Sequence, residues 1–245
     1  MFSVDHLNEI RLLELESVIP FLAPRSRVLE LGAGTGRQAL ALSRRGFEVS
    51  AIDIESSSYK DHRLFPVQDY DGTTIPFGNG SFDVVYSSNT LEHVTDLTRM
   101  HAEIARVLRP GGKSIHLMPS HWWRIWTTLV GPVDALQALA RGRVRDAAKT
   151  LGATVLLMPH GERGNAVSEL MLFRPAWWER NFRQNGFKVE ERRPVELFYT
   201  GWMLLGRRLG FGRRRALSRV LGCATYLYVA AKDDTPRGSE PADHA

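Results

Sequence analysis

The sequence predicts an α/β fold: a seven-stranded, mostly parallel sheet with helices on both faces and helical insertions after strands five and six. Three observations predict it. Short apolar runs alternate with segments of helical periodicity over the first half of the chain. The first of these runs leads directly into a glycine-rich turn. Strands that alternate with helices form parallel sheets covered on both faces.

The first half of the chain accounts for five strands and three helices. The opening segment, 5–22, has helical periodicity, with Asp5 available as its N-cap. The further predicted helices lie at 38–45 and 96–108. Gly46 ends the first of them, and Pro110 with Gly111 ends the second. The predicted strands lie at 27–31, 47–54, 63–67, 82–87 and 113–118.

The second half changes in pattern after Pro119. Helices are predicted at 133–148 and 175–184, strands at 187–198 and 224–231, and a turn at 159–161. We expect one domain over 1–232, with a core at about 25–120 and insertions at about 119–170 and 200–222. The polar tail, 233–245, is predicted to be disordered.

Composition narrows the function classes. A single cysteine, Cys223, excludes a disulfide framework and a cysteine-based metal cluster, and we predict no metal site. The net charge is −3 over residues 1–120 and +8 over 121–245, so an anionic partner would meet the second half; a solvated Arg-rich surface is the alternative. A charged amino terminus and the lack of a long apolar run predict a cytoplasmic protein, with peripheral membrane contact as a further hypothesis.

The glycine turn predicts a ligand site. Gly32, Gly34 and Gly36 follow a buried strand, and glycine lets the backbone turn tightly and approach a ligand closely. The N–H groups that open the next helix favour an anionic group. A dinucleotide fingerprint would place its third glycine at position 37, where this chain has Arg37. An NAD-dependent oxidoreductase is therefore the less favoured reading.

Asp53 ends the second strand, 21 residues beyond Gly32. A carboxylate at this place can accept hydrogen bonds from both hydroxyls of a ribose. An aspartate that caps its own backbone is the alternative. Between Asp53 and Arg63 there is little room for a helix, and the serines at 56–58 indicate a loop.

Four motifs resemble those of class I S-adenosylmethionine-dependent methyltransferases, most closely the small-molecule branch called type 11. The motifs occur in the family's order at 28–36 (VLELGAGTG), 71–85 (DGTTIPFGNGSFDVV), 88–94 (SNTLEHV) and 108–112 (LRPGG). The resemblance implies a Rossmann-like fold, methyl transfer and S-adenosyl-L-methionine as the cofactor.

The resemblance also implies roles for individual residues. Gly32, Gly34 and Gly36 would line the methionine and ribose portion of the cofactor, and Glu30 would help to hold its ammonium group. Asp53 would bind the ribose hydroxyls. The remaining two residues are Asp71, near the adenine amino group, and Asn89, near the sulfonium.

Methyl transfer from S-adenosylmethionine needs few catalytic groups from the protein. The sulfonium is an activated methyl donor, so holding the nucleophile in line supplies most of the rate. A hydroxyl nucleophile gains from a nearby base. The candidates are His93, His121, His160 and Glu169, of which His93 and His160 are the two residues predicted to be catalytic. A histidine at position 93 that merely caps a turn is the alternative.

The insertions are expected to form the acceptor site. Trp122, Trp123 and Trp126 have helical spacing, which favours core packing over an acceptor platform. Arginines alternate with large apolar residues over 202–219, which suits an anionic membrane surface or a phosphorylated acceptor. A helix with its arginines in water is the alternative.

The acceptor itself is predicted less directly. Residues 155–205 loosely resemble methyltransferases found with bacterial surface-glycan synthesis, which implies an O or N atom of a small molecule, such as a nucleotide- or lipid-linked saccharide. A quinone or other lipid acceptor, or a non-catalytic cofactor-binding scaffold, are the alternatives. A nucleic-acid acceptor is disfavoured, because Ser88–Leu91 stands where base methyltransferases carry an Asn/Asp-Pro-Pro-aromatic motif.

Overall fold

The computed structural model describes residues 4–155, 158–201 and 206–233. It contains a seven-stranded sheet in the order β3-β2-β1-β4-β5-β7-β6, in which only β7 runs against its neighbours. The predicted fold class is confirmed. The strands are β1 Arg27–Leu31, β2 Glu48–Ile54, β3 Gln68–Tyr70, β4 Phe82–Ser88, β5 Leu108–Pro119, β6 Phe187–Val195 and β7 Thr225–Lys232.

Helices cover both faces of the sheet. They are α1 Val4–Leu15, α2 Arg37–Ser43, α3 Leu97–Val107, α4 His121–Ala140, α5 Val144–Val155, α6 Ala166–Leu172, α7 Pro175–Gln184 and α8 Phe211–Leu221. In the part of the chain that the structure describes, no helix is long and apolar enough to span a membrane.

The core forms two layers, one on each face of the sheet. Alternate residues of β1 divide between them, because successive side chains of a strand point to opposite faces: Val28 joins one layer, Leu29 and Leu31 the other. Leu42 of α2 packs in the first layer and Ile104 of α3 in the second. The helix that follows β1 and the helix that follows β4 therefore lie on opposite faces.

The third strand was placed wrongly by the sequence pattern. The prediction was 63–67, whereas the strand lies at Gln68–Tyr70 and pairs with the end of β2. Phe65 and Val67 instead pack against the small residues around the glycine turn, and the Leu64 N–H donates to the Thr35 carbonyl at 2.7 Å. The apolar residues of this segment thus cover the turn rather than extend the sheet.

The insertion after β5 is also divided differently from the prediction. The helix predicted at 133–148 is two helices, α4 and α5, separated by a turn at Gly142, whose φ of 72° is left-handed. The short helix α6 was not predicted.

The opening helix is shorter than the predicted range of 5–22, because it ends at Leu15. Asp5, which was predicted to be its N-cap, lies within its first turn.

Two predictions on chain organisation remain predictions. The single domain at 1–232 is not tested by the fold. Of the tail predicted to be disordered, residues 234–245 lie outside the described residues, as do 202–205 within the predicted Arg-rich insertion.

Candidate active site

A cavity of about 670 Å³ opens at the carboxyl ends of β1, β2 and β4. It lies where the strand order reverses between β1 and β4, the usual ligand site of an open α/β sheet. Glu30 and Gly36 are not among the residues that line it. The other predicted site residues all line this cavity: Gly32, Gly34, Asp53, Asp71, Asn89, His93 and His160.

The glycine turn needs glycine for two reasons. Gly32 has a φ of 72°, which a side chain disfavours, and a Cβ there would collide with the Thr90 side chain. At Gly36, also left-handed, a Cβ would lie 2.8 Å from the Phe65 Cβ. The glycine turn is therefore packed too closely against Thr90 and Phe65 to carry side chains at these two positions.

Asp53 binds the backbone around it, as the second of the two alternatives requires, while its contact with a ribose remains a prediction. Its Oδ2 accepts the Gly34 N–H at 3.1 Å and its Oδ1 accepts the Ile54 N–H at 2.9 Å, so the carboxylate caps its own strand and holds the glycine turn. It also borders the cavity while only 8% exposed. The carboxylate is thus oriented toward the cavity before any ligand arrives.

Glu30 lies two residues before Gly32 and is only 2% exposed. Its Oε2 has no hydrogen-bond partner among the residues that the structure describes. Burial, and secondarily the charge of Asp53, raise the pKa of the Glu30 carboxyl to about 8, while a hydrogen bond from the Ala39 backbone opposes the shift. A buried carboxyl with an unsatisfied oxygen favours a proton or a cation beside it.

Asp71 and Asn89 lie at the cavity rim, and each is suited to the local backbone structure there. Asp71 Oδ1 accepts the N–H groups of Thr73 and Thr74, both at 2.7 Å, and these bonds lower the pKa of the carboxyl. Asn89 has a left-handed φ of 52°, a conformation that asparagine tolerates, directly after β4. Their contacts with adenine and the sulfonium remain predictions.

His93 and His160 meet across the other end of the cavity. Their ring centroids are 4.9 Å apart, and the His160 ring also lies 4.6 Å from that of Trp123. Burial within the cavity wall lowers the pKa of His93. Burial, then the neighbouring charges of His93, Arg124 and Arg11, lower that of His160 to about 3. Both rings are therefore unprotonated near neutral pH.

Two other candidate bases do not line the cavity. The His121 ring packs against Trp122. Glu169 is engaged on both oxygens: Oε1 accepts the N–H groups of His160 and Gly161 at 2.6 and 2.7 Å, and Oε2 lies 3.0 Å from Arg124 Nε. Glu169 therefore holds the loop that carries His160.

Sequence reasoning missed the part of the wall that α1 supplies. Arg11 lines the cavity, donates to Glu14 Oε2 at 2.5 Å and to the Tyr199 hydroxyl at 2.9 Å, and so ties α1 to the segment after β6. The spacing of Arg11 and Glu14 on one helix was the only available signal. Tyr59, in the loop after β2, packs beside Gly34 and also lines the cavity.

The three tryptophans of α4 differ in their surroundings, and the prediction that they pack in the core does not hold for all of them. Trp123 is 7% exposed and packs in a core cluster, as predicted, but it also borders the cavity. Trp122 is 40% exposed, so the core prediction is wrong for it, because it packs on the chain at Gly222 with one face in solvent. Trp126 donates its indole N–H to the Leu221 carbonyl.

The basic helix α8 has one arginine that is not at the surface. Arg214 is 1% exposed, and its guanidinium donates to the carbonyls of Phe198, Gly206 and Leu209. The exposed arginines of this helix are Arg213, Arg215 and Arg219.

Residues 29–116 match a protein-family model described as a methyltransferase domain, type 11. An uncharacterized methyltransferase of Mycobacterium sp. (strain JLS) is 39% identical over 94 residues, which are 36% of this chain and 36% of that protein. A demethylmenaquinone methyltransferase of Corynebacterium urealyticum is 37% identical over 94 residues, 38% of this chain and 41% of that protein. The chain thus matches well under half the length of these relatives.

The solved structures resemble the chain more widely. An S-adenosylmethionine-dependent methyltransferase of Aquifex aeolicus superposes with a TM-score of 0.55 at 15% identity, over 94% of this chain and 98% of that one. At this identity the likeness concerns the fold. Together with the family match, it confirms the resemblance predicted from the four motifs.

The buried Glu30 predicts a pH-dependent stability. Because its pKa is raised on folding, the folded state holds a proton that the unfolded state releases between pH 4.5 and 8, so stability falls as pH rises through this window. Glu30→Gln should remove the part of that fall that Glu30 causes, and gain roughly 2 kcal/mol or more on the wild type between pH 5 and 8.5, while Glu92 continues to lower stability over the same window. Urea unfolding at several pH values measures the difference.

A matched control is Glu48→Gln, which removes an exposed carboxyl from β2. Its unfolding free energy should follow the wild-type pH profile. A Glu30→Gln profile parallel to both would mean that Glu30 is not buried as a protonated acid.

Proposed function

We propose that the chain transfers a methyl group from S-adenosyl-L-methionine to an O or N atom of a small-molecule acceptor, because residues 29–116 match the methyltransferase-domain family model. S-adenosylmethionine is the methyl donor of this family. The observation that carries the proposal is the single cavity, which joins the glycine turn and Asp53 at one end to His93 and His160 at the other.

The residues around the glycine turn suit the cofactor. Gly32 and Gly34 line the cavity without side chains, which leaves room for a flexible methionyl chain. Asp53 already presents a carboxylate to the cavity and can accept ribose hydroxyls. Glu30 has a buried oxygen without a partner, which suits a nearby ammonium group directly or through water.

The protein has two tasks in the reaction. It must hold the acceptor in line with the methyl group, and it must receive a proton where the nucleophile is a hydroxyl or an ammonium. His93 and His160 are unprotonated at neutral pH and border the cavity, so they are able to accept that proton. Of the two, His93 follows β4 more closely, which makes it the better candidate for the base.

The acceptor end of the cavity suits a flat or cyclic molecule with hydroxyl groups. Trp123 and Tyr199 contribute aromatic surface, and Arg11 contributes a charged donor that would meet an anionic group. We therefore retain a nucleotide- or lipid-linked saccharide as the proposed acceptor. A quinone is the second candidate, favoured by the identity with the demethylmenaquinone methyltransferase, although that match covers the methyltransferase core rather than the insertions.

Contact with an anionic membrane through 202–219 is a further proposal. Within the described part of this stretch, Arg213, Arg215 and Arg219 form an exposed basic face on α8. Because Arg214 and Ser218 of the same helix are buried, the contact would be electrostatic, with α8 held in the fold rather than inserted among lipid tails.

Cofactor binding is the first test. Titration calorimetry should detect S-adenosylmethionine and S-adenosylhomocysteine but not NAD. Asp53→Ala should weaken both adenosyl ligands about 10- to 100-fold, the loss expected for hydrogen bonds to a charged group. Asp69→Ala is the matched control, because Asp69 is on β3, pairs with Lys60 and Arg63, and does not line the cavity. NAD binding with no adenosyl response would overturn the proposal.

The acceptor is tested by product formation. Purified protein with S-adenosylmethionine should release S-adenosylhomocysteine when given nucleotide- or lipid-linked saccharides. His93→Gln should lower kcat by about 100-fold or more with unchanged cofactor affinity, since a general base contributes at least that much. His62→Gln, an exposed histidine away from the cavity, is the control. Turnover of demethylated quinones alone would replace the saccharide, and cofactor binding without any turnover would favour a scaffold.

The membrane proposal is tested by co-sedimentation with vesicles. The full chain should bind mixed phosphatidylcholine–phosphatidylglycerol vesicles and not pure phosphatidylcholine. Replacing Arg213, Arg215 and Arg219 with glutamine should weaken binding about 100-fold, because each arginine contributes roughly 1 kcal/mol at an anionic surface. The matched control replaces the exposed Arg25, Arg44 and Arg45 with glutamine. Equal losses in both triple variants would show that only net charge matters.

A further inference from the structure

Three potential metal ligands converge at the acceptor end of the cavity. Glu92 and His93 lie in the single turn after β4, and His160 lies in the loop before α6. One ligand atom from each residue can be chosen so that all three lie within 4.8 Å of one another. His93 Nε2 is 3.9 Å from Glu92 Oε1. Residues 67 positions apart in the chain are thus brought into one cluster.

The Glu92 carboxylate lacks a partner within the described ranges. The residue is 1% exposed, and neither Oε1 nor Oε2 has a hydrogen bond there. The nearest guanidiniums are directed elsewhere: Arg163 donates to the carbonyls of Leu91 and Val94, and Arg11 to Glu14 and Tyr199. Burial of an unpaired carboxylate is costly, so a ligand that supplies positive charge would stabilise it.

The loop that carries His160 is held in place from both sides. Gly161 packs on Glu92 so closely that a Cβ would lie 2.6 Å from the Glu92 carbonyl oxygen, and the Glu162 N–H donates to that oxygen at 3.1 Å. On the far side, Glu169 accepts the N–H groups of His160 and Gly161. The cluster is therefore built by backbone contacts and does not depend on a chance approach of surface side chains.

The charged side chains around the three ligands are compatible with a bound cation. Arg11 pairs with Glu14 at 2.5 Å and Arg124 with Glu169 at 3.0 Å, so two of the neighbouring positive charges are already balanced. The remaining guanidinium, Arg163, faces the charges of both Glu92 and Glu162. The cluster and its neighbours therefore carry a net negative charge of one when all of the carboxyl groups are ionised.

We propose that Glu92, His93 and His160 bind one divalent transition-metal ion, of which Zn²⁺ is the best fit. Imidazole nitrogen and carboxylate oxygen are the ligands that Zn²⁺ takes in catalytic sites, where two histidines and one glutamate leave a position open. Metal–ligand bonds of about 2.0–2.2 Å require the three ligand atoms to move together by roughly 1 Å, within the reach of side-chain rotation.

The open position would lie in the cavity that His93 and His160 border. Its role in catalysis, unlike the binding of metal, rests on the proposed methyltransferase function. A metal ion there would bind an acceptor hydroxyl and lower its pKa, so that the proton passes to solvent. The oxygen then forms its bond to the methyl carbon while the carbon–sulfur electron pair stays on sulfur. The histidines would act as ligands, and the saccharide hydroxyl as a metal-held nucleophile.

The test uses tag-free full-length protein, stripped with a chelator and titrated with Zn²⁺ or Co²⁺ alone. Calorimetry and elemental analysis should show one ion per chain, and Co²⁺ should give the intense visible absorption of a low-coordinate site. His160→Ala and Glu92→Gln should each weaken binding by more than about tenfold. His62→Ala, an exposed histidine outside the cluster, should bind as the wild type does.

The outcomes separate this proposal from the proposed function. No stoichiometric ion, or binding that persists unchanged in His160→Ala, overturns the metal site even where S-adenosylhomocysteine still binds. One ion per chain without binding of any adenosyl ligand keeps the metal site and overturns the function. Circular dichroism on His160→Ala, which alters one side chain of the loop before α6, shows whether the fold is intact. Binding of S-adenosylhomocysteine by this variant shows whether the cofactor site is intact.

Discussion

The site depends on the point in the sheet where β1 and β4 lie side by side while their following helices pack on opposite faces. Leu42 of α2 belongs to one core layer, and Ile104 of α3 to the other. The two chains leaving the sheet must therefore diverge, and the space between them remains open. The absence of a side chain at Gly32 lets the first connection pass directly against the Thr90 side chain at the base of this space.

Two buried carboxyl groups lie at the ends of this space, and the fold satisfies neither fully. Glu30 has one oxygen without a partner and Glu92 has two, among the residues with described positions. In both, burial raises the pKa to about 8. Such groups lower the stability of the free protein, because a carboxyl desolvated without a partner must take up a proton or remain costly. Neither side chain lines the cavity, but each lies within two residues of one that does, Gly32 and His93.

The cavity wall around His160 is organised by polar contacts between helices and loops rather than by the sheet. Arg124 of α4 and Glu169 of α6 fix the loop of His160, and Arg11 of α1 reaches Tyr199 after β6. Buried pairs of this kind add little net stability but require one geometry, since the loss of either partner leaves an uncompensated charge. The wall is thus specified by a few long-range polar contacts, which lets the acceptor site vary independently of the cofactor core.

The sequence by itself determined the parts whose structure is local. The alternation in β1, the glycines that require a left-handed backbone and the place of Asp53 after β2 can all be read from neighbouring residues, because strand period and glycine conformation depend on short stretches of chain. Most of the cofactor end follows from them. Only the tertiary structure decided the remainder: Phe65 and Val67 cover the glycine turn instead of forming a strand, and Arg214 is buried in a helix that reads as basic surface. The tertiary structure alone likewise brings Glu92, His93 and His160 into one cluster. These outcomes depend on contacts between residues far apart in the chain, whose free energies outweigh local propensity and leave no periodic pattern in the sequence.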